Sequence, residues 1–142
     1  MLEDLEYAGN ILIEDDLKRL KRWSSLETDV HNCYKIIAGS LNETRWPPSY
    51  NFCGGLITKI VHSEKTLLCF KERQAITEPQ MTPEEGARII YALVVEIKKF
   101  IPLLVFSASE EKTMYKIGKK KFLLTKSNFA KIITEKIRLC LK

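Results

Sequence analysis

The architecture depends most on residues 82–106, which read TPEEGARIIYALVVEIKKFIPLLVF. Thr82 is followed by a proline at the first helical position and by Glu85 three residues later, which is the pattern of a capping box. Apolar residues then recur at helical spacing up to the next proline, and a helix usually ends just before such a residue. These signals predict a central helix over residues 82–101, followed by a short apolar strand over residues 103–106.

The apolar side of this predicted helix is unusually wide. A second apolar stripe adjoins the main one, and together they cover an arc of about 160° at about 100° per residue. One buried face needs less than this, and an extended apolar patch marks an interaction site when it is exposed. We therefore predict a partner or dimer interface at Ile89, Leu93 and Phe100. The alternative is a central helix covered on two sides by its own chain.

Two further helical segments are predicted near the N-terminus. Residues 11–23 and residues 26–41 both place apolar side chains at helical spacing, either as two helices or as one long kinked helix. Ser24 and Glu27 form another capping-box pattern between them, which favours a new helix at that point.

Two β-hairpins and a last helix complete the predicted elements. The first hairpin joins residues 56–61 to residues 66–70, both rich in β-branched and aromatic side chains. The second joins residues 113–117 to residues 121–125 about a glycine. The segment after this hairpin, residues 127–141, is predicted as a helix.

These elements together predict an α+β fold. An antiparallel sheet of about five strands carries helices packed on it, in the order helix-β-β-helix-β-β-β-helix. The single α+β domain spans residues 25–142, and residues 1–24 form an N-terminal helical extension.

That element order resembles the roadblock family of small scaffold domains, a relative of the longin domains. Gly54-Gly55-Leu56-Ile57 and Leu103-Leu104-Val105-Phe106 stand where that fold has strands, and the resemblance covers about residues 25–142. It implies a five-stranded antiparallel sheet with the central helix on one face and dimerisation through that helix. It also implies a role as a platform for small GTPases or for motor and membrane complexes.

Charge is distributed unevenly along the chain. Residues 1–50 carry 6 Lys+Arg against 9 Asp+Glu, a net charge of −3, whereas residues 101–142 carry 10 against 3, a net charge of +7. The basic residues that we predict to form a docking patch are Lys116, Lys119, Lys120, Lys121, Lys126, Lys131 and Arg138. On a strand, Lys119 and Lys121 would project together.

The basic patch has three interpretations. It binds an acidic protein partner, it binds nucleic acid, or it is a charged edge that resists aggregation. An acidic partner segment is available in a second copy of the chain, at its N-terminus. The nearby rings, Tyr115 and Phe122, are too few for a base-stacking platform.

No pattern in the sequence indicates catalysis. The four cysteines are scattered without a C-x-x-C pair, and we interpret them as reduced, buried thiols. Neither a phosphate-binding loop nor a zinc-ligand spacing is present, so we predict no cofactor and no metal site. The acidic N-terminus does not resemble a signal peptide, and no apolar stretch reaches 18 residues. These features predict an intracellular protein, cytoplasmic or nuclear, without a transmembrane segment.

The resulting functional prediction is a non-catalytic scaffold or adaptor subunit. It mediates protein–protein interaction within a larger complex and assembles as a homodimer or heterodimer. The alternative is a nucleic-acid-binding protein that uses the basic C-terminal hairpin and helix.

Overall fold

A computed structural model describes residues 5–41 and 45–141 of the chain. Its helices and strands, in chain order, are β1 (Glu6–Tyr7), α1 (Glu14–Arg19), α2 (Leu26–Ser40), β2 (Thr58–His62), β3 (Lys65–Gln74), β4 (Ala87–Val94), β5 (Lys99–Ser107), β6 (Met114–Ile117), β7 (Lys120–Leu123) and α3 (Phe129–Cys140). Short 3₁₀ turns lie at Ile11–Ile13, Phe52–Gly54, Ala108–Glu110 and Lys126–Asn128. The predicted α+β class is confirmed.

The main sheet has five strands in the order β1-β5-β4-β3-β2. Strands β2 to β5 form an antiparallel meander, and the two-residue β1 pairs with β5 in parallel. The sheet is therefore mixed but mostly antiparallel. Strands β6 and β7 form a separate two-stranded hairpin, which was predicted correctly.

Both faces of the main sheet are buried. Helix α2 covers one face with Val30, Cys33 and Ile37, together with the side chains of residues 5–24 that lie inside the same cluster. Helix α3 and the β6–β7 hairpin cover the other face, with Ile132 and Ile133 at its centre. The segment predicted as an N-terminal extension thus supplies β1 to the sheet and part of its core.

The predicted helix over residues 82–101 is wrong. Residues 87–94 are strand β4, residues 95–98 are a turn, and β5 begins at Lys99. The central helix that the resemblance to roadblock domains implies is therefore absent from residues 82–101. The dimer contact expected on that helix has no helix to form on. The predicted strand at residues 103–106 is real, but it is the second half of a longer strand.

Burial of β4 on both faces explains the misleading pattern. All eight of its residues are buried, with Ile89, Tyr91 and Leu93 facing α2 and the residues between them facing α3. A strand covered on both sides is a continuous apolar run, which periodicity alone does not distinguish from a buried helix. The wide apolar arc therefore came from two strands and the turn between them, with Ile89 and Leu93 in β4 and Phe100 in β5.

The expected helix start at Thr82 forms a single turn. The Thr82 amide and hydroxyl both donate to the Glu85 carboxylate, at 3.1 and 2.9 Å, and the Gly86 amide donates to the Thr82 carbonyl. The chain then enters β4, where a Cβ atom on Gly86 would lie 2.4 Å from the carbonyl oxygen of Gln74. Glycine is therefore required here by the close approach of the end of β3.

Helices α1 and α2 are separate, so the single kinked helix is excluded. The predicted capping box between them does not form, because the Ser24 hydroxyl donates to Glu78 instead. Asp29, buried in α2, accepts hydrogen bonds from the Ser25 hydroxyl and from the amide and hydroxyl of Thr77. This carboxylate ties the start of α2 to the loop after β3.

Leu93 tests the strand assignment of residues 87–94. Leu93→Asp would place a carboxylate without a partner in the buried layer between the sheet and α2. We expect the substitution to lower the free energy of unfolding by more than about 4 kcal/mol. Thermal melts followed by circular dichroism should show an unfolded or severely destabilised protein. A folded variant that only changes its oligomeric state would instead support the helix and interface interpretation. Val61→Asp is the matched control, because Val61 on edge strand β2 is 69% exposed and should cost less than about 1 kcal/mol.

Candidate protein-binding surface

The β6–β7 hairpin presents two different faces. It turns at Gly118, whose φ of +58° favours glycine, and pairs Lys116 with Lys121. Opposite residues of an antiparallel pair share a face, and successive residues alternate. The inner face, with Tyr115 and Ile117, is buried against the layer that contains α3. The outer face carries Met114, Lys116, Lys121 and Leu123.

The outer face of the hairpin combines charge with exposed apolar surface. Met114 is 56% exposed and Leu123 is 45% exposed, and the two lie opposite each other in the ladder. Lys116 and Lys121 are exposed beside them, and neither makes an ion pair with a described residue. We call these four side chains the outer hairpin face. Sequence reasoning found the lysines but missed the two apolar residues.

Two of the predicted basic residues, Lys120 and Arg138, share one carboxylate on α3. Lys120 turns toward the helix, and its Nζ lies 3.2 Å from Oε2 of Glu135. Arg138 pairs with the same carboxylate from one helical turn away. The hydrogen bond from Arg138, aided by the one from Lys120, holds the pKa of Glu135 below its ordinary value against the effect of burial. The two cations and this carboxylate together carry a net charge of +1, so the pairing removes one positive charge from the patch.

The remaining basic residues lie on three different elements. Lys119 lies in the turn, Lys126 lies in the 3₁₀ turn before α3, and Lys131 is exposed on α3 itself. The prediction that Lys119 and Lys121 project together is wrong, because Lys119 precedes the first residue of β7. Lys116 is the residue that shares a face with Lys121.

The predicted interface stripe is not at the surface. Ile89, Leu93 and Phe100 are all fully buried within the chain, the first two in β4 and the third in β5. Phe100 stacks on Tyr91 with ring centroids 4.8 Å apart. These side chains belong to the core, so the prediction that they form a partner or dimer interface is corrected.

A buried carboxylate, Asp16, holds the hairpin to the rest of the fold. Its two oxygens accept hydrogen bonds from four donors: the Tyr115 hydroxyl at 2.5 Å, Arg19 Nη1 at 2.7 Å, Lys136 Nζ at 2.8 Å and the Val105 amide at 3.0 Å. These donors come from β6, α1, α3 and β5. We call this set the Asp16 network, and it satisfies the acceptor capacity that a buried carboxylate requires.

Two cations flank the Tyr115 ring inside this network. The Arg19 guanidinium carbon lies 5.2 Å from the ring centroid, and Lys136 Nζ lies 5.3 Å from it. Arg19 also donates to Glu110 and to the Val105 carbonyl, both at 2.8 Å. Burial, reinforced by the negative charge of Asp16, raises the pKa of the Tyr115 hydroxyl. Burial also lowers the pKa of Lys136, although Asp16 opposes that effect. The ring and its hydroxyl thus fix the inner face of the hairpin.

Burial raises the pKa of the Cys33, Cys53 and Cys69 thiols, which makes these three unsuited to nucleophilic chemistry. All four cysteines are free, but only Cys33 and Cys69 are fully buried, while Cys140 is exposed against expectation. Burial and a hydrogen bond to Glu72 raise the pKa of the Cys53 thiol to about 12. A thiol with such a pKa carries almost no thiolate at neutral pH, and the thiolate is the reactive form.

Neither a metal cluster nor a membrane span is found in residues 5–41 and 45–141. No three His, Cys, Asp or Glu side chains in these ranges are grouped so as to hold a metal ion. Their helices are too short or too polar to cross a bilayer.

Asp16 is the residue whose loss should affect stability most among the charged groups. Asp16→Asn keeps the size and an acceptor oxygen but leaves the Lys136 ammonium buried without an anion. Breaking a buried ion pair on one side commonly costs about 3–5 kcal/mol, and urea denaturation should show a loss of that size. Asp15→Asn, at the exposed neighbouring position, should stay within about 0.5 kcal/mol of wild type. Equal losses in both variants would contradict a structural role for the network.

Glu110 gives the network a pH dependence. Burial opposes ionisation, yet the hydrogen bonds from Arg19 and the Ser107 amide hold the pKa of Glu110 below its ordinary value. Its contribution to stability is therefore complete above the unfolded-state pKa and is lost as the pH falls through the lower folded-state pKa. Glu110→Gln should be less stable than wild type by about 1 kcal/mol at neutral pH and equally stable in strong acid. Denaturation at several pH values checks this, with Glu14→Gln as an exposed control; a constant difference at all pH values would contradict it.

Comparisons with models of protein families, with curated proteins and with solved structures found no match to this chain.

Proposed function

We propose that this protein is a non-catalytic adaptor subunit that binds an acidic protein partner through the outer hairpin face. The observation that carries the proposal is the pairing of two unneutralised lysines with two exposed apolar side chains on one rigidly held hairpin. The lysines attract an acidic surface, and the two apolar side chains become buried when that surface binds.

Anchoring of the hairpin supports a docking role. Tyr115 and Ile117 hold its inner face in the core, and the Tyr115 hydroxyl is bound to Asp16. A surface that is already ordered loses little conformational entropy when a partner binds. The outer hairpin face is therefore suited to recognition without rearrangement.

A protein partner fits this surface better than nucleic acid does. Base stacking on single strands needs exposed aromatic rings beside positive charge. Here Tyr115 is buried, and Phe122 lies opposite it on the same inner face. What the outer face exposes is a methionine and a leucine, and methionine is enriched in protein interfaces.

Dimerisation through the former stripe is not part of the proposal, because those residues are core residues. A second copy of the chain remains an admissible partner, since its N-terminal third is acidic. The proposal places the contact on the outer hairpin face whether the acidic partner is a different protein or a second copy.

The ε-methyl group of Met114 reports directly on the proposed contact. The chain has three methionines, and Met81 lies in the loop before β4 as an internal reference. With ¹³C-labelled methionine methyl groups, a synthetic peptide of alternating glutamate and leucine should shift the Met114 signal saturably and leave Met81 unchanged. Lys116→Glu with Lys121→Glu should weaken the binding by about tenfold or more and flatten its salt dependence. Melting temperature should hardly change, because exposed charges contribute within about 0.5 kcal/mol.

The matched control reverses two exposed lysines elsewhere, Lys35 on α2 and Lys59 on β2. Lys35→Glu with Lys59→Glu makes the same change in net charge and should leave peptide binding at the Met114 methyl intact. If single-stranded oligo-dT shifts Met114 and the peptide does not, the nucleic-acid alternative replaces the proposal. If neither probe moves Met114, the outer hairpin face is only a solvated surface. A wild-type dimer in light scattering that the hairpin double variant dissociates would identify a second copy as the partner.

A further inference from the structure

A cavity of about 320 Å³ lies between the loop before β2 and the start of α3. It is lined by residues 53–57, by the Phe129 ring and by the two lysines Lys71 and Lys126, and of the lining residues Ile57 packs in the same cluster as Phe129. The volume is at the lower end of the range for small-molecule sites. It is distinct from the outer hairpin face, none of whose four side chains lines it.

The charge of the cavity wall is entirely positive. Lys71 and Lys126 line it, and no acidic residue does so within the described chain. Neither ammonium group makes an ion pair with a described carboxylate. Glu72, the acidic residue next to Lys71 in β3, points to the opposite face of the sheet, where it accepts a hydrogen bond from the Cys53 thiol.

Lys71 is held in place and partly withdrawn from water. Its Nζ lies 5.5 Å from the centroid of the Phe129 ring, which itself is buried. Burial lowers the pKa of Lys71, with Glu111 opposing the effect and Arg73, Arg88 and Lys126 adding to it. An ammonium group in this environment gains from a bound anion, since that anion replaces the water that burial has removed.

The floor of the cavity is apolar. Ile57 and the Phe129 ring lie in the same apolar cluster, and both line the space that the two lysines border. A fully hydrated inorganic ion would leave this surface unused. An anion attached to a small apolar group would contact both parts of the wall.

We propose that this cavity binds a small organic phosphate, an ester of phosphoric acid with a compact apolar group. A phosphate monoester carries a charge of about −1.5 to −2 at neutral pH, which matches two lysines better than a single carboxylate charge does. Lysine also binds phosphate as a point charge, without the paired geometry that arginine uses for carboxylates. The phosphate would lie between the two ammonium groups, with its ester group on Ile57 and Phe129.

Phenyl phosphate is the probe that tests this site. In ¹H–¹⁵N spectra of the full chain, it should shift the amide signals of Gly54 and Gly55 saturably at millimolar concentration or below. Lys71→Met keeps the aliphatic contact with Phe129 and removes the charge, and we expect it to weaken binding by about tenfold or more. Lys126→Met should act in the same direction and is the second variant if Lys71→Met does not fold.

The controls separate phosphate recognition from simpler effects. Lys116→Met makes the same substitution on the outer hairpin face and should leave phenyl phosphate binding unchanged. Inorganic phosphate should bind more weakly than phenyl phosphate, and phenol should not shift the two glycine amides. The proposal is overturned if phenyl phosphate produces no saturable shift at Gly54 and Gly55, if phenol binds as tightly, or if Lys116→Met weakens binding as much as Lys71→Met does. Failure of this site leaves the acidic-peptide test at Met114 unaffected.

Discussion

One buried carboxylate, that of Asp16, joins four of the ten helices and strands described for this protein. Its four donors belong to α1, β5, β6 and α3, so a single side chain fixes where these elements meet. Domains of this size have a net stability of only about 5–15 kcal/mol. A buried charge without its partners costs a large part of that. Lys136 and Asp16 are therefore a mutual constraint: each is tolerated in the core because the other is present, while the Arg19 side chain, 33% exposed, contacts Asp16 from the edge of the network.

This constraint divides the molecule into a structural side and a side suited to binding. The α2 side of the sheet is closed by apolar packing and by the Asp29 contacts. The α3 side carries the hairpin, whose inner face is occupied by the Asp16 network and whose outer face is free. The same side carries the cavity beside Phe129. The positive charge of residues 101–142 is thus concentrated on the layer where both proposed ligands, an acidic peptide and an organic phosphate, would bind.

The sequence predicted helices α2 and α3, both hairpins and the second half of β5, and it missed β1, β4 and the first half of β5. Helices α2 and α3 have a polar face and β6 alternates between exposed and buried residues, so their periodicity identifies them. Strand β4 has no polar face. The proline after residues 99–101 was interpreted as the end of a helix, although Pro102 lies at a register irregularity within β5. The basic surface was predictable from the composition of residues 101–142. Which of its cations pair with Glu135 and which face solvent depends on how the hairpin packs on α3. Asp16 did leave a signal: it lies at helical spacing from Ile13 and Leu20, a charged residue within an apolar stripe.

The contacts of Asp16 also have a consequence for the order of folding. They join residues that are 89, 99 and 120 positions apart along the chain. The β2–β5 meander, in contrast, pairs neighbouring strands through connections of 12 residues or fewer, the longest being residues 75–86, and the entropy lost in closing a loop grows with its length. We expect the meander to form early and the chain ends to join it late, so that substitutions at Asp16 accelerate unfolding far more than they slow folding. The Asp16 network, which positions the β6–β7 hairpin, would then also be the first part of the fold to open. Its opening would expose the inner face of the hairpin to chaperones and proteases before the meander unfolds.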